Sequence, residues 1–91
     1  MIINAAAYAF CPLDDLAALR ERLLARADQA QLRGTVLLAA EGINPFLAGE
    51  EQPLRHYLDW LAAQLPEPRL DIKFSWSREV PFDRLKVKCK R

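Results

Sequence analysis

The stretch "GTVLLAAEGINPFLAG" (residues 34–49) decides the fold of this chain. Two apolar runs, "GTVLLAA" and "INPFLAG", meet at Glu41-Gly42, and glycine accepts the positive φ that a tight hairpin turn requires. We therefore predict two antiparallel strands joined by a turn. Glu41 is expected to accept hydrogen bonds from neighbouring backbone N–H groups, and Asn44 to hold the start of the second strand. The sequence offers no second acid, base or metal for a catalytic Glu41.

Helical patterns lie on both sides of this hairpin. Before it, the segment "PLDD" (residues 12–15) opens a helix, and its carboxylates suit capping better than a metal or acid–base pair. Gly34 is expected to end that unit. After the hairpin, Pro53 suits a first helical turn, and Pro66 stops the second helix. Apolar residues recur at helical spacing in both segments, at Leu16, Leu19, Leu23, Ala27 and Ala30, and at Leu54, Leu58, Leu61 and Leu65.

Strand patterns complete the chain. Residues 2–10 read as a strand, and "LDIKFSWS" and "RLKVKCK" each alternate apolar and polar residues, with the apolar set Leu70, Ile72, Phe74, Trp76, Leu85, Val87 and Cys89 facing a core. The order is β-α-β-β-α-β with one terminal strand. This order predicts a single α+β domain over residues 1–91, a ferredoxin-like (acylphosphatase-like) antiparallel sheet with two helices on one face.

Composition narrows the functional classes. Ninety-one residues suit one small domain, no apolar run approaches the roughly 20 residues that span a bilayer, and "MIINAAAYAF" lacks the basic leader of a signal peptide. We therefore expect no membrane partner and a cytoplasmic location. Cys11 and Cys89 are too far apart for a metal motif and should stay reduced, so no metal or cofactor is predicted.

The candidate catalytic residues are weak ones. His56 is the only histidine, and no nucleophile lies at a spacing that suggests a pair, so a surface role is favoured. Cys11 precedes a helix start, which could lower its thiol pKa, but a buried structural cysteine is the favoured interpretation. Cys89 is interpreted as a core residue. The chain alone is predicted not to be an enzyme.

Three other classes of protein with this fold use functional residues that this sequence does not have at the corresponding positions. Acylphosphatases use an anion-cradling loop with an arginine after the first strand, where this chain has the acidic "FCPLDD". Heavy-metal-binding modules use a paired-cysteine loop there, and only one cysteine is present. RNA-recognition motifs place aromatic residues on the open face of the central strands, whereas this first strand offers mainly alanines.

The charge is uneven along the chain. Residues 1–50 hold four basic and six acidic side chains, residues 51–91 hold nine basic and six acidic ones, and the final "RLKVKCKR" carries five basic groups without an acid. This basic tract is the only charge feature that suggests a partner.

Two blocks of the sequence carry a family resemblance. "GTVLLAAEGIN…LAG" and "KFSWS…VPFDRLKVKCK" occur in order, with the turn motif Glu41, Gly42, Ile43 and Asn44. The chain resembles the N-terminal domain of the rhodanese-containing tRNA uridine hydroxylases, formerly putative rhodanese-related sulfurtransferases. It departs from the family at Pro45-Phe46, where Gly-Thr is usual, and so has a proline that cannot donate to a strand ladder.

The resemblance implies a longer parent enzyme. In this family a rhodanese domain with an essential loop cysteine follows, and the whole enzyme hydroxylates the tRNA wobble uridine at carbon 5 with oxygen. The chain is thus expected to be the N-terminal part of such an oxidoreductase, with the rhodanese domain as partner and the catalytic cysteine elsewhere.

Three roles for the domain stay open. In the first, basic residues bind tRNA phosphates; in the second, the domain docks on the rhodanese domain or on a second copy of itself through Trp60, an aromatic residue off the leucine stripe; in the third, the lysines only protect a solvated edge strand. The RNA-binding candidates are Lys73, Arg78, Arg84, Lys86, Lys88, Lys90 and Arg91.

Overall fold

The computed structural model describes residues 1–66 and 69–89. The predicted order of elements is confirmed. No helix among the described residues is long and apolar enough to cross a membrane. The elements are β1 (Ile2–Phe10), α1 (Leu16–Gln29), β2 (Arg33–Ala39), β3 (Gly42–Gly49), α2 (Glu51–Ala63), β4 (Asp71–Ser77) and β5 (Leu85–Cys89).

The five strands form one sheet in the order β4-β1-β3-β2-β5. The first four pair antiparallel, but β5 pairs parallel with β2, with Val87 opposite Val36. The predicted α+β architecture with a terminal strand is confirmed. Because this terminal strand runs parallel to β2, the sheet is mixed rather than antiparallel throughout. The chain leaves β4 at one edge, crosses the width of the sheet and begins β5 at the other edge in the direction of β2.

Both helices cover the same face of the sheet, with α1 over β2 and β5 and α2 over β3 and β1. The predicted leucine stripes are confirmed, since Leu19, Leu23, Leu54 and Leu61 are all buried. Tyr57 is a core residue that the pattern missed. Its hydroxyl donates to the Leu23 carbonyl at 2.9 Å and so ties α2 to α1, and burial raises its pKa, which keeps the phenol protonated.

The start of α1 is as predicted, but its end is not. Asp15 is the N-cap, and its carboxylate accepts from the Ala18 N–H at 3.3 Å, which confirms the capping interpretation. The turn after the helix uses Gln31, in the left-handed region at φ 57°. Gly34 does not end the helix; it lies inside β2, where a Cβ would come within 2.1 Å of the Phe46 carbonyl oxygen.

Edge strands explain two wrong burial predictions. Phe74 and Trp76 face the helix side as predicted, but they stay 40% and 51% exposed because β4 lies beyond both helices. Cys89 is exposed rather than part of the core, at the end of the edge strand β5. Cys11 is buried, as expected.

The central hairpin has a two-residue turn, Ala40-Glu41, because Ala39 pairs with Gly42. Gly42 thus follows the turn, and its φ of 159° is close to extended. The reason for glycine here is the neighbouring strand: a Cβ on Gly42 would lie 2.2 Å from the Ala9 carbonyl oxygen. The predicted hairpin is confirmed, but the close approach of β1, not turn geometry, requires its glycine.

We expect Gly42→Ala to destabilise the domain by about 1–3 kcal/mol, because backbone atoms of β1 would have to move away from the new methyl group. Gly49→Ala is the matched control. Its Cβ would meet only the Leu32 Cδ2 methyl, at 2.6 Å, and a side chain can rotate. Chemical denaturation measures both variants, and equal losses of unfolding free energy would contradict the proposed role of the close approach.

Candidate nucleic-acid interface

The sheet has one surface that no helix covers. Strand periodicity places Asn4, Ala6, Tyr8 and Phe10 of β1 on this surface, because Ile3, Ala5, Ala7 and Ala9 are buried on the other. We call it the open face. Register then assigns to it the cross-strand neighbours of these residues, including Phe46 opposite Ala6, and Asp71 opposite Tyr8.

Aromatic side chains occupy the centre of the open face. Tyr8 and Phe46 are each 47% exposed and Phe10 is 79% exposed, and the Tyr8 and Phe10 rings lie 5.6 Å apart at 59°. The expectation that β1 offers mainly alanines is therefore wrong for this face. Three of its four alanines point into the core, and the alternation Asn4, Ala6, Tyr8, Phe10 is the sequence signal that could have revealed the aromatic face.

Tyr8 has an acidic neighbour, Asp71, across the strand pair. The Asp71 carboxylate accepts a hydrogen bond from the Tyr8 hydroxyl, and this bond, with the negative charge behind it, raises the pKa of Tyr8. The ring of Tyr8 is exposed on the open face. An exposed ring is a suitable stacking surface for a planar ligand.

Two lysines of the predicted basic row border this aromatic centre. Lys86 pairs with Thr35 and Lys88 with Leu37, so both exposed side chains lie on the open face at the β5 edge. They line a shallow depression of about 320 Å³ together with Thr35, Phe82, Asp83 and Arg84. The predictions for Lys90 and Arg91 lie outside the described residues.

The other predicted basic residues do not join this cluster. Lys73 also lies on the open face, since it pairs with Ala6, but on β4 at the opposite edge of the sheet. Four strand spacings separate β4 from β5, about 19 Å. Arg78 lies just after β4. The basic residues therefore border the aromatic centre from two sides instead of forming one patch.

The turn at Ala40-Glu41 forms main-chain hydrogen bonds with the segment that follows β1. Glu41 accepts a hydrogen bond through its main-chain carbonyl rather than through its side chain: the donor is the Cys11 N–H, at 3.0 Å. The Ala40 carbonyl accepts from the Leu13 N–H at 2.9 Å. These bonds use N–H groups that an anion-cradling loop would present to phosphate. With Asp15 capping α1, this corner of the fold is poorly suited to acylphosphatase chemistry.

A second depression lies between β1 and the hairpin. Its volume is about 230 Å³, and its lining includes Tyr8, Phe10, Leu37, Asn44 and Glu41. Ile43, the remaining motif residue, also contributes to the lining although its side chain is buried in the core. Asn44 is exposed, on the open face.

The unusual proline lies beside this depression. The β1–β3 ladder pairs Ala6 with Phe46 and next Ala9 with Ile43, so it skips the pairs that would contain Pro45 and Asn44. Pro45 has no N–H to donate, while its pairing with Val36 of β2 is kept. The β1–β3 ladder is thus interrupted beside the depression.

Trp60 is not the exposed anchor that was predicted. Its ring is half-buried, packs 5.6 Å from the Tyr57 ring and lies under the Arg26 guanidinium at 4.6 Å. The exposed tryptophan is Trp76. Within residues 1–66 and 69–89, no group of three or more His, Cys, Asp or Glu side chains is placed to hold a metal ion.

The sequence has close relatives along its whole length. Residues 2–91 match the family described as the UPF0176 acylphosphatase like domain. The chain is 51% identical over 90 residues to the tRNA uridine(34) hydroxylase of Bordetella petrii and 47% identical to that of Xanthomonas campestris pv. campestris. These matches cover 99% of the chain but 36% of each relative, so the chain spans about a third of their length.

Solved structures support the fold. The acylphosphatase of Bacillus subtilis superimposes with a TM-score of 0.72 at 18% identity, over 97% of this chain and 99% of that protein. Klebsiella pneumoniae BlrP1 superimposes with a TM-score of 0.71 at 17% identity, over 98% of this chain and 24% of that protein. At these identities the likeness establishes a shared acylphosphatase-like fold alone.

The Tyr8–Asp71 contact can be tested by titration. We expect Asp71→Asn to lower the pKa of Tyr8, because the acceptor loses the negative charge that disfavours the phenolate. The ring-carbon chemical shifts of Tyr8 followed against pH measure this. Asp59→Asn, a change on the surface of α2, is the control and should leave the titration of Tyr8 unchanged. Identical Tyr8 curves in wild type and Asp71→Asn would contradict the contact.

Proposed function

This chain belongs to the UPF0176 acylphosphatase-like domain family, and we propose that it is the tRNA-contacting, non-catalytic N-terminal domain of a tRNA uridine(34) hydroxylase. The proposed activity of the parent enzyme is the one that its relatives are named for, tRNA uridine(34) hydroxylase. In this proposal the rest of the parent chain holds the catalytic centre, in a rhodanese domain that is this domain's partner. Such an enzyme acts on tRNA in the cytoplasm.

The observation that carries the proposal is the pairing of exposed lysines with exposed rings on one face. Lys86 and Lys88 lie beside Leu37 and Thr35 at the edge of the open face, next to the central aromatic residues. Phosphate contacts supply most of the sequence-independent affinity for nucleic acids, while aromatic rings suit unpaired bases. A surface that only protected an edge strand needs the charges but not the rings.

The cysteines support the non-catalytic part of the proposal. A sulfur-transferring or redox cysteine needs an accessible thiolate in an electropositive site. Cys11 is buried, and Cys89 lies at the end of an edge strand, where its thiol donates to the Leu16 carbonyl oxygen at 3.8 Å.

A docking role has its own supporting observation. Trp76 is 51% exposed on the helix side of β4, next to Phe74, whose ring lies 4.5 Å below the Arg55 guanidinium. Exposed aromatic residues of this kind serve as anchors in protein interfaces. Docking would be insensitive to salt, because apolar contacts are not screened, whereas phosphate contacts weaken steeply with salt.

We expect the purified chain neither to hydroxylate tRNA nor to transfer sulfur from thiosulfate to cyanide, because Cys11 is buried and the exposed Cys89 lies on an edge strand rather than in a rhodanese-type loop. Mass spectrometry of tRNA nucleosides and a thiocyanate assay measure the two activities. The full-length hydroxylase is the positive control. Turnover by the chain that disappears in Cys11→Ser or Cys89→Ser would contradict the non-catalytic assignment.

We expect the double variant Lys86→Gln/Lys88→Gln to bind tRNA more weakly than the wild-type chain. The slope of log affinity against log salt should flatten by up to about two units, because up to two phosphate contacts are lost. Binding measured at several salt concentrations gives both quantities.

The matched control is Arg22→Gln/Arg55→Gln, which removes the same net charge from the helical surface, where both arginines are exposed. It should retain the wild-type slope. If both double variants bind tRNA equally well and with equal slopes, the lysines act as edge protection and the proposal passes to docking through Trp76.

A further inference from the structure

We propose that the depression between β1 and the hairpin binds one unpaired nucleobase of single-stranded RNA, stacked against Tyr8 and Phe10. This inference rests on the proposed function and deepens it. It assigns the contact with the base to the centre of the open face, whereas the lysines of β5 contact phosphate.

The walls of the depression suit a flat, partly apolar ligand. Tyr8, Phe10 and Leu37 supply apolar surface on the open face, and the cavity of about 230 Å³ is open to solvent above them. The Tyr8 and Phe10 rings contact each other at 5.6 Å with a tilt of 59°, so a base would stack on the exposed side of this ring pair rather than between the rings. Base–aromatic stacking tolerates any base, because every base has a π face.

The rim of the depression offers polar groups for the edge of the base. Asn44 is exposed at the rim, and its amide presents one acceptor and two donors. The Glu41 carboxylate adds an acceptor at the turn. An unpaired base has its Watson–Crick edge available for such groups, whereas a base inside a duplex does not. The depression therefore favours single-stranded over double-stranded RNA.

The positions of the charges favour RNA over an apolar protein segment as occupant. Lys88 pairs with Leu37, which itself lines the depression, so the backbone of the lysine is one strand spacing, about 4.8 Å, from a residue of the depression wall. The lysine side chain can reach the phosphate of the nucleotide whose base is bound. Lys73 borders the open face from the β4 edge, where a continuing strand of RNA would pass.

The test uses fluorescence anisotropy with a short labelled oligouridylate and, as the second probe, an abasic oligomer of the same length and charge. We expect Phe10→Ala and Tyr8→Ala to weaken binding of the oligouridylate about 5- to 100-fold. Binding of the abasic oligomer should not change. Tyr8→Phe keeps the ring and should retain most of the affinity, and thermal unfolding establishes that each variant is folded.

Trp76→Ala is the matched control, because it removes an exposed ring from the opposite side of the sheet, and it should bind both oligomers as the wild type does. Equal affinity of the wild type, Phe10→Ala and Tyr8→Ala for oligouridylate would overturn the base site. If Lys86→Gln/Lys88→Gln still weakened tRNA binding in that case, the proposed function would stand without it. If neither set of variants changed RNA binding, both proposals would fail.

Discussion

The close contact of the central hairpin with its neighbours is the constraint on which the rest of the structure depends. Gly42 lets β3 approach the Ala9 carbonyl of β1, and Gly34 lets β2 approach the Phe46 carbonyl of β3, at distances that no Cβ allows. The main-chain carbonyls of the turn then accept hydrogen bonds from the backbone N–H groups of Cys11 and Leu13. One hairpin thus sets the strand register and the path from β1 into α1, and with the register it fixes which side chains reach the open face.

Much of this arrangement could be predicted from the sequence because it follows from local periodicity. The order of elements, the leucine stripes of α1 and α2, and the alternation that exposes Lys86 and Lys88 each depend on residues close together in the chain. Predictions failed where the result depends on which strand lies at the edge. Phe74 has the alternation of a core residue, but β4 lies beyond the helices, and nothing local shows that position.

The site was harder to predict than the fold for a related reason. The aromatic centre combines Tyr8 and Phe10 of β1 with Phe46 of β3, and only the pairing of Ala6 with Phe46 brings the last of these to the same surface. Lys73 seemed a neighbour of the β5 lysines because both lie in the basic half of the sequence. The crossing from β4 to β5 places them at opposite edges. The sequence showed that basic residues are concentrated in the second half of the chain, but the strand order determines where they lie on the sheet.

With this distribution of charges and rings, different residues would supply the affinity and the selectivity for a nucleic acid. Contacts to phosphate position a nucleic acid without reading it, and contacts to bases distinguish paired from unpaired strands. With lysines at the edges and rings at the centre, a duplex could reach only the charges, since its bases are stacked inside. A looped strand could reach both. Arg20 strengthens the case that the β5 lysines do more than protect an edge, because its Nε already donates to the outward Val87 carbonyl at 2.8 Å. On the proposed function, the open face would therefore suit a tRNA loop better than a tRNA stem.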